Sequence, residues 1–487
     1  MKFKRYWYLL HRWCGIAMCL FFAMWFFSGV VMIYVGFPKL DHQERLEALP
    51  IIDADSIFWG PDLLLPHVLQ SDISSLRLTS VASRPIYVLE TRSGENLAYF
   101  ADNGEPLTVN ATLALKSAEQ FVQGHPPLVL PISSSYLGLI EIDQWSVSSS
   151  LNTHRPLHRV SLNDSKGTHL YISSRTGEVV RDVNQSERVW NWLGANLHWL
   201  YPVQLRKHPS LWADVVIVIS LIACLVVLTG AIVGIQRLRI RKPYRGKDYT
   251  PYTGMAKWHH LLGLGALVFL STYTLSGLMS MNPWGIFDDK QRLEPQLERY
   301  HLGLSQPLQQ SMAFHNAEDL KTLLNDSPVI EISWHRLNGV SYIVMQQRTD
   351  TAKALLGDGS KLSQEQIAQA ISQLLPDVPL ASTSLLDSYN LYYYSHHERH
   401  RPLPALKAEF EDNDGTWFYI DANTGVVLDR LTSRGRLQRW LYNGLHSLDF
   451  NVLIQNRPLW DIVVITLSII GFMFSVTAIN LGWRRLR

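Results

Sequence analysis

Apolar residues fall into four long runs, separated by two much longer polar stretches. The runs are Trp13–Tyr34, Trp212–Ile235, Leu261–Met281 and Trp460–Leu481. A helix needs about 20 apolar residues to cross a bilayer, and Trp and Tyr are enriched where such helices leave it. Because several runs begin or end with Trp or Tyr, the pattern predicts four transmembrane helices.

The polar stretches alternate between strand-like and helix-like patterns. "PIYVLETRSGENLAYFADNGEPL" alternates apolar and polar residues between Ser-Gly and Asn-Gly turns, and "TVNATLALKSAEQFVQG" then has a helical pattern that Thr108 or Asn110 could cap. The second stretch repeats this order with "SYIVMQQR" and "SQEQIAQAISQLL", whose cap would be Ser363. Both stretches are therefore predicted to form α+β domains.

The chain is a tandem repeat. "YISSRTGEVV", which starts at Tyr171, returns as "YIDANTGVVL" at Tyr419, an offset of 248, and each copy is predicted to form a β-hairpin. The same offset carries Ser28 and the glycine after it onto Ser276 and its glycine. Each half then reads as span, domain, span, and the two halves are related by a pseudo-twofold axis along the membrane normal.

Composition supports a membrane protein with large polar domains. Hydrophobic residues make up 47% and charged residues 18% of the chain, while the mean hydropathy is near zero. The net charge of +2 gives no reason to expect nucleic acid. The three cysteines all lie in apolar runs, so they predict no disulfide framework, and there is no C-x-x-C-H motif for covalent haem attachment.

Lys and Arg predict the orientation. They cluster in "MKFKRYWYLLHR", "QRLRIRKPYRGK" and "WRRLR", which would be cytoplasmic, so the two domains would be periplasmic in the inner membrane of a bacterium. The predicted fold class is a membrane α-helical bundle of four transmembrane helices with two α+β domains. The predicted boundaries are 1–36 (first span, cytoplasmic N-terminus), 37–208 (first periplasmic domain), 209–237 (second span), 238–256 (basic cytoplasmic loop), 257–282 (third span), 283–457 (second periplasmic domain) and 458–487 (fourth span, cytoplasmic C-terminus).

Four histidines are matched by the repeat and tied to the spans. The offset of 248 carries His11 onto His259 and His198 onto His446. Matched residues face each other across the pseudo-twofold axis, which predicts one histidine pair near each membrane surface. Such pairs could ligate haem iron, giving two b-type haems, or one shared haem. The alternatives are interfacial anchors, or Cu or Zn sites.

Neighbouring residues refine this prediction. His260 is the alternative ligand at the third span, although the repeat places an arginine opposite it. Arg12 and Lys257 could contact haem propionates or simply follow the positive-inside rule. Gly15 and Gly263, one turn after the matched histidines, could leave room for a porphyrin face.

A second candidate site lies in the stretch "LYYYSHHERHRPLP" of the second domain. Its cationic and aromatic residues could hold an anionic or metal-chelating ligand, or could form a solvated strand edge. The candidate substrate residues are Tyr394, His396, His397, Arg399 and His400.

The sequence resembles a known family. "LHRWCGIAMCLFFAMWFFSGVVM" and "WHHLLGLGALVFLSTYTLSGLM" are similar to the first span of PepSY-associated transmembrane proteins, and "YISSRTGEVV" and "YIDANTGVVL" resemble the end of a PepSY domain. The resemblance covers nearly the whole chain. It implies PepSY-like periplasmic domains and similarity to iron-regulated ferric-siderophore reductases, with His11, His198, His259 and His446 as axial haem ligands.

The expected function is therefore that of a haem-containing inner-membrane oxidoreductase that reduces periplasmic ferric siderophore in iron uptake. Its expected partners are membrane lipid, the ferric siderophore and a cytoplasmic or quinol electron donor. The alternatives are a siderophore permease component, disfavoured because no span looks broken, and a PepSY-type sensor without redox activity.

Overall fold

The structure is a computed structural model that describes residues 2–68, 73–124, 133–244, 248–289, 291–302, 312–348, 352–395 and 401–487. Helices α1–α15 are Lys2–Met32, His42–Glu47, Pro61–His67, Ala111–Gly124, Gln185–Asn191, Val203–Arg206, Pro209–Arg237, Gly254–Gly265, Leu267–Ser280, Glu294–Leu302, Ala317–Asn325, Gln364–Ile371, Ser433–Arg439, Asn451–Ile454 and Leu459–Leu486. Strands β1–β14 are Ile73–Val81, Arg84–Thr91, Asn96–Phe100, Ser135–Ile140, Leu157–Ser161, His169–Ser173, Val179–Val183, Val329–Leu337, Val340–Gln347, Lys353–Leu356, Leu380–Leu386, Ala405–Phe410, Trp417–Asp421 and Val427–Leu431.

Three helices are long and apolar enough to cross a membrane. They are Arg5–Met32 within α1, Pro209–Arg237 and Leu459–Leu486, which agree with three of the four predicted spans. The predicted span Leu261–Met281 is instead divided between α8 and α9, which meet at 69°. Among the described helices, the count is therefore three spans, or four when this bent pair is taken as one.

The bend has a local cause. Gly263 and Gly265 lie just before the break at Ala266, and glycine is a poor helix former that is often found at kinks. The matching positions of α1 are Gly15 and Ala17, so the unbent helix carries one glycine fewer. The expectation of an unbroken third span was therefore wrong.

The spans pack as a ring in which α1 contacts α7 and α15, α7 contacts α8 and α9, and α8 contacts α15. The centre of the ring is apolar. Its buried residues are Met18, Phe22, Phe26, Ala223, Val226, Ala266 and Leu270.

The two halves of the chain share one six-stranded sheet in the order β10-β9-β8-β1-β2-β3. Its central strands β1 and β8 are antiparallel, and Arg77 lies opposite Ser333, flanked by the pairs Leu76–Trp334 and Leu78–Ile332. Because β1 and β8 are the first strands of their respective halves, this pairing relates the halves by an approximate twofold axis through Arg77 and Ser333. The polar parts of the two halves are thus joined along a strand edge.

A partly buried ionic cluster reinforces this junction. Arg45 and Arg77 contact Glu331 of the second half at 2.8 and 3.0 Å, and Arg77 contacts Glu178 at 2.5 Å. Burial alone would raise the pKa of the Glu178 carboxyl, but the nearby guanidinium groups outweigh it and hold that pKa at about 2.

Each half adds a four-stranded sheet, β4-β5-β6-β7 and β11-β12-β13-β14. The predicted hairpins are confirmed as β6–β7 and β13–β14, which turn at Gly177 and Gly425 with φ of +72° and +70°. Two predicted helix caps are also confirmed, since Asn110 accepts a hydrogen bond from the Leu113 backbone and Ser363 from that of Gln366.

Candidate functional site

The first histidine pair lies at the end of the bundle that holds the chain termini. His11 of α1 and His259 of α8 face each other with ring centroids 6.3 Å apart and ring planes at 40°. Metal–imidazole bonds of about 2 Å place two imidazoles on opposite sides of one metal ion with centroids about 6 Å apart. The separation therefore fits two ligands of one metal ion.

The second pair lies at the other end of the bundle. His198 and His446 face each other with centroids 6.0 Å apart and planes at 74°. Ser28 of α1 contacts His198, and the helix from His11 to Ser28 spans about 26 Å at roughly 1.5 Å per residue. This is close to the roughly 30 Å thickness of a bilayer's hydrocarbon core.

A hydroxyl group lies at the Nδ1 atom of every paired histidine. Thr229 and Thr477 lie 3.4 and 3.1 Å from Nδ1 of His11 and His259. At the second pair, Ser28 and Ser276 lie 3.1 and 3.0 Å from Nδ1 of His198 and His446. The two threonines match each other at the repeat offset, and so do the two serines, so the repeat conserves the orienting group together with the histidine.

These hydroxyls determine which ring nitrogen carries the proton. Thr477 donates its hydrogen to the Phe474 carbonyl at 2.6 Å, and Ser28 donates to the Met24 carbonyl at 2.7 Å. A hydroxyl has one hydrogen to give, so it accepts from Nδ1–H of the histidine, which leaves Nε2 with a free lone pair. This is the outer-shell arrangement that orients metal-binding histidines.

Both residues of the second pair follow a π-helical segment. Trp192–Asn196, which is kinked at Gly194, continues α5 just before His198, and Trp440–Gly444 continues α13 just before His446. Single π-helical turns are rare in proteins overall, and those that occur are often found at functional sites. The repeat therefore conserves an unusual backbone feature as well as the histidine.

A glycine lies beside each histidine of the second pair. A Cβ atom on Gly29 would lie 3.4 Å from His198, and one on Gly277 would lie 3.8 Å from His446. The sequence pattern Ser-Gly, matched in both halves, thus places a hydroxyl and a glycine beside each of these histidines.

A cavity of about 420 Å³ adjoins the first pair, within the range of small-molecule and cofactor sites. It is lined by His11, His259, Gly15, Arg12, Arg485 and Phe474, among others. A Cβ atom on Gly15 would meet nothing within 4 Å, so this glycine faces open space as predicted. At Gly263, in contrast, the space is filled by the Phe474 ring, 2.8 Å from the Cβ position.

His260 is engaged elsewhere. Its Nδ1 lies 2.8 Å from the Thr250 hydroxyl and its Nε2 lies 2.9 Å from the Gly234 carbonyl, and the residue is 7% exposed. With both ring nitrogens hydrogen-bonded, His260 is a structural residue in this conformation. The geometry therefore favours His259 as the residue that faces His11.

Arg12 and Lys257, the two residues predicted to contact haem propionates, differ in position. Arg12 lines the cavity and is exposed at its mouth, whereas Lys257 donates to Asp248 at 2.6 Å. Arg485 also lines the cavity, a role that the sequence analysis did not assign. Its match to Arg237 at the repeat offset was visible in the sequence, but a terminal arginine is also explained by the positive-inside rule.

Of the candidate substrate residues, Tyr394 lies in the described part of the chain. Its hydroxyl donates at 2.9 Å to the carboxylate of Asp449, which follows His446 closely in the chain. Burial, followed by the charge of Asp449, raises the pKa of Tyr394 above its ordinary value. The other four, His396, His397, Arg399 and His400, lie outside the described residues.

The side chains available as ligands limit the kinds of metal centre that the site could hold. The described residues include no group of three or more His, Cys, Asp or Glu side chains that could hold a metal ion. A protein Zn site takes three or four protein ligands, whereas a haem iron takes its other ligands from the macrocycle. The first pair, two opposed imidazoles beside a cavity, could supply both protein ligands of a haem iron.

The fold and these sites define a helical membrane protein with two opposed histidine pairs. The family model for the PepSY-associated TM region matches residues 140–358. This match confirms the family resemblance predicted from the sequence. No curated protein matches the chain.

Proposed function

We propose that the protein is a transmembrane di-haem oxidoreductase of the bacterial inner membrane, which reduces ferric siderophore in the periplasm. The observation that carries the proposal is the pair of opposed histidines at each end of the bundle, with every Nδ1 held by a hydroxyl. The two pairs are separated by about the thickness of a bilayer's hydrocarbon core, so one bound cofactor would lie near each membrane surface.

His11 and His259 would hold one b-type haem, and His198 and His446 the other. Bound haem supplies one-electron transfer at a potential set by its axial ligands and surroundings. Thr229, Thr477, Ser28 and Ser276 would keep each ring oriented with Nε2 toward the iron. Arg12 and Arg485 would hold propionates at the cavity mouth by charge-assisted hydrogen bonds.

The apolar centre of the bundle would separate the two sites from water. Phe26 packs on Phe269 and Tyr273 with centroids 6.2 and 6.3 Å apart, and Tyr273 lies 5.6 Å from His446. Phe26 also fills the space beside Gly471, where a Cβ atom would lie 2.5 Å from the ring. Close packing of this kind would exclude water from the space between the two sites.

The Lys and Arg distribution supports placing the first pair at the cytoplasmic side and the second at the periplasmic side. The sheet-containing parts would then be PepSY-like periplasmic domains. The donor would be a quinol or a cytoplasmic protein. The ferric chelate would bind near Tyr394, which lies close in sequence to the remaining candidate residues and contacts the segment after His446.

Reduction would release the iron. Fe(II) carries a lower charge than Fe(III), and oxygen donors hold it less tightly, so one electron delivered to the chelate weakens it. The donor is oxidised by losing one electron, and the substrate iron is reduced by gaining it.

The bent third span favours a second candidate, a permease component for the chelate. Broken helices line the substrate sites of many transporters, and Gly263, Leu264 and Leu267 around the break also line the cavity. Ala266 at the break is, however, only 1% exposed within an apolar cluster, which disfavours a polar substrate there.

The test uses haem-loaded protein in liposomes with dithionite inside and ferric siderophore plus a ferrous-specific chelator outside. The proposal predicts formation of the coloured ferrous complex outside with wild type, and its loss in His259→Ala and in His446→Ala. Ferric siderophore accumulating inside matched liposomes that contain no dithionite would favour the permease. Equal iron reduction by wild type and both variants would refute the proposal.

A further inference from the structure

Arg439 is a buried cation beside the second histidine pair. It is the last residue of α13 and only 8% exposed. Its guanidinium lies among three aromatic rings, 4.4 Å from Trp440, 6.0 Å from Tyr392 and 5.8 Å from Tyr394. Aromatic faces stabilise a cation but leave its N–H groups without acceptors.

Much of the guanidinium's hydrogen-bonding capacity is unused. Nη2 donates to the Asp449 backbone carbonyl at 2.6 Å and the Tyr394 hydroxyl also lies beside the guanidinium, whereas Nε and Nη1 have no hydrogen-bond partner among the described residues. The Asp449 carboxylate accepts from Tyr394. Buried charged N–H groups without acceptors are costly, so the site calls for an anionic acceptor.

Only the second half of the repeat has a charged residue at this position. The residue matched to Arg439 at the repeat offset is Asn191, which is also buried but neutral. A structural role common to both halves would not require an arginine. Arg439 also leads directly into the π-helical segment Trp440–Gly444 that positions His446.

We propose that Arg439 binds a carboxylate at the periplasmic end of the bundle. The carboxylate could be a propionate of a haem held by His198 and His446, a source that rests on the proposed function. It could instead belong to a free polycarboxylate such as a citrate-type chelate. The recognition chemistry is the same in both cases, a charge-assisted hydrogen bond from a desolvated guanidinium.

The first arm compares haem with haem dimethyl ester, in which the propionates are neutral. Both are titrated into apoprotein that lacks the first pair through His11→Ala and His259→Ala. If a propionate is bound, wild-type Arg439 favours haem over the ester by about tenfold or more, and Arg439→Gln removes that preference. Arg439→Lys keeps the charge and should retain part of the preference, so it serves if the Gln variant does not fold.

The second arm titrates citrate into full-length apoprotein and follows Trp fluorescence, since Trp440 contacts the guanidinium. If the carboxylate is free, citrate changes the fluorescence of wild type, and Arg439→Gln weakens binding about tenfold or more. Arg457→Gln is the matched control, because Arg457 lies 4.8 Å from the Trp460 ring but is exposed and contacts Asp461.

These experiments distinguish failure of the proposed function from failure of the carboxylate-binding role of Arg439. If wild type binds no haem, the proposed function falls while the citrate arm still decides whether Arg439 is a carboxylate site. If Arg439→Gln and Arg439→Lys match wild type in both titrations, the inference is overturned.

Discussion

The hydroxyl at Nδ1 of each paired histidine can be removed by one nearly isosteric change. Thr477→Val takes away the group that lies 3.1 Å from His259 Nδ1 and keeps a similar side-chain volume. Outer-shell partners of metal-binding histidines contribute roughly 10- to 100-fold to metal affinity. Because His259 is also stacked on Phe474 at 4.7 Å, we expect the lower end, about tenfold.

A tenfold weaker affinity corresponds to about 1.4 kcal/mol, similar to the net contribution of one hydrogen bond. The assay is titration of haem into apoprotein, followed by the Soret absorbance. His198→Ala and His446→Ala are included in the background so that only the first pair is observed.

Thr250→Val is the matched control. Thr250 also lies at a histidine Nδ1, that of His260 at 2.8 Å, but this histidine has no proposed ligand role. The account predicts weaker haem binding for Thr477→Val and unchanged haem binding for Thr250→Val. If both variants bind haem as wild type does, or if Thr250→Val is the weaker binder, the hydroxyls do not orient the ligands.

Two further predictions concern packing and charge. In Gly230→Ala the new Cβ would lie 2.8 Å from the His11 ring, so this variant should lose haem at the first pair and keep it at the second, as measured by haem content; full haem content in Gly230→Ala would contradict this. The Glu178 pKa is depressed from 4.5 to about 2, chiefly by Arg77 and then by Arg45, so these contacts should stabilise the fold above about pH 4.5 and lose that contribution, about 3 kcal/mol, as pH falls toward 2. The stability difference between wild type and Glu178→Gln, from unfolding in detergent, should shrink over that pH range, and a constant difference would count against it.

The pairing of histidines was predictable because it follows from symmetry. Once a repeat with one orientation is recognised, matched residues such as His11 and His259 must face each other about the axis. The helix caps at Asn110 and Ser363 were predictable for a different reason, since capping depends on a few neighbouring residues.

The joint sheet could not be predicted in this way. Pairing of β1 with β8 joins strands from opposite halves of the chain, and alternation within a strand does not name its partner. The bend at Ala266 depends on a second glycine, Gly265, whose effect in an apolar run is hard to distinguish from ordinary packing.

The orienting hydroxyls were visible in the repeat but not recognisable as functional. Ser28 and Ser276 were among the residues that matched at the offset, yet serine and threonine in spans commonly bond their own helix carbonyls. Only the three-dimensional contact with the histidine Nδ1 separates Thr229 and Thr477 from such ordinary residues.

The central claim is that each histidine pair holds one haem. The most direct measurement is the oxidised and dithionite-reduced visible spectrum of detergent-purified protein, with a pyridine haemochrome count. The account predicts a low-spin b-type spectrum with about two haems per chain, falling to about one in His11→Ala and in His446→Ala. A colourless protein after haem supplementation during expression, or an unchanged haem count in both variants, would contradict it.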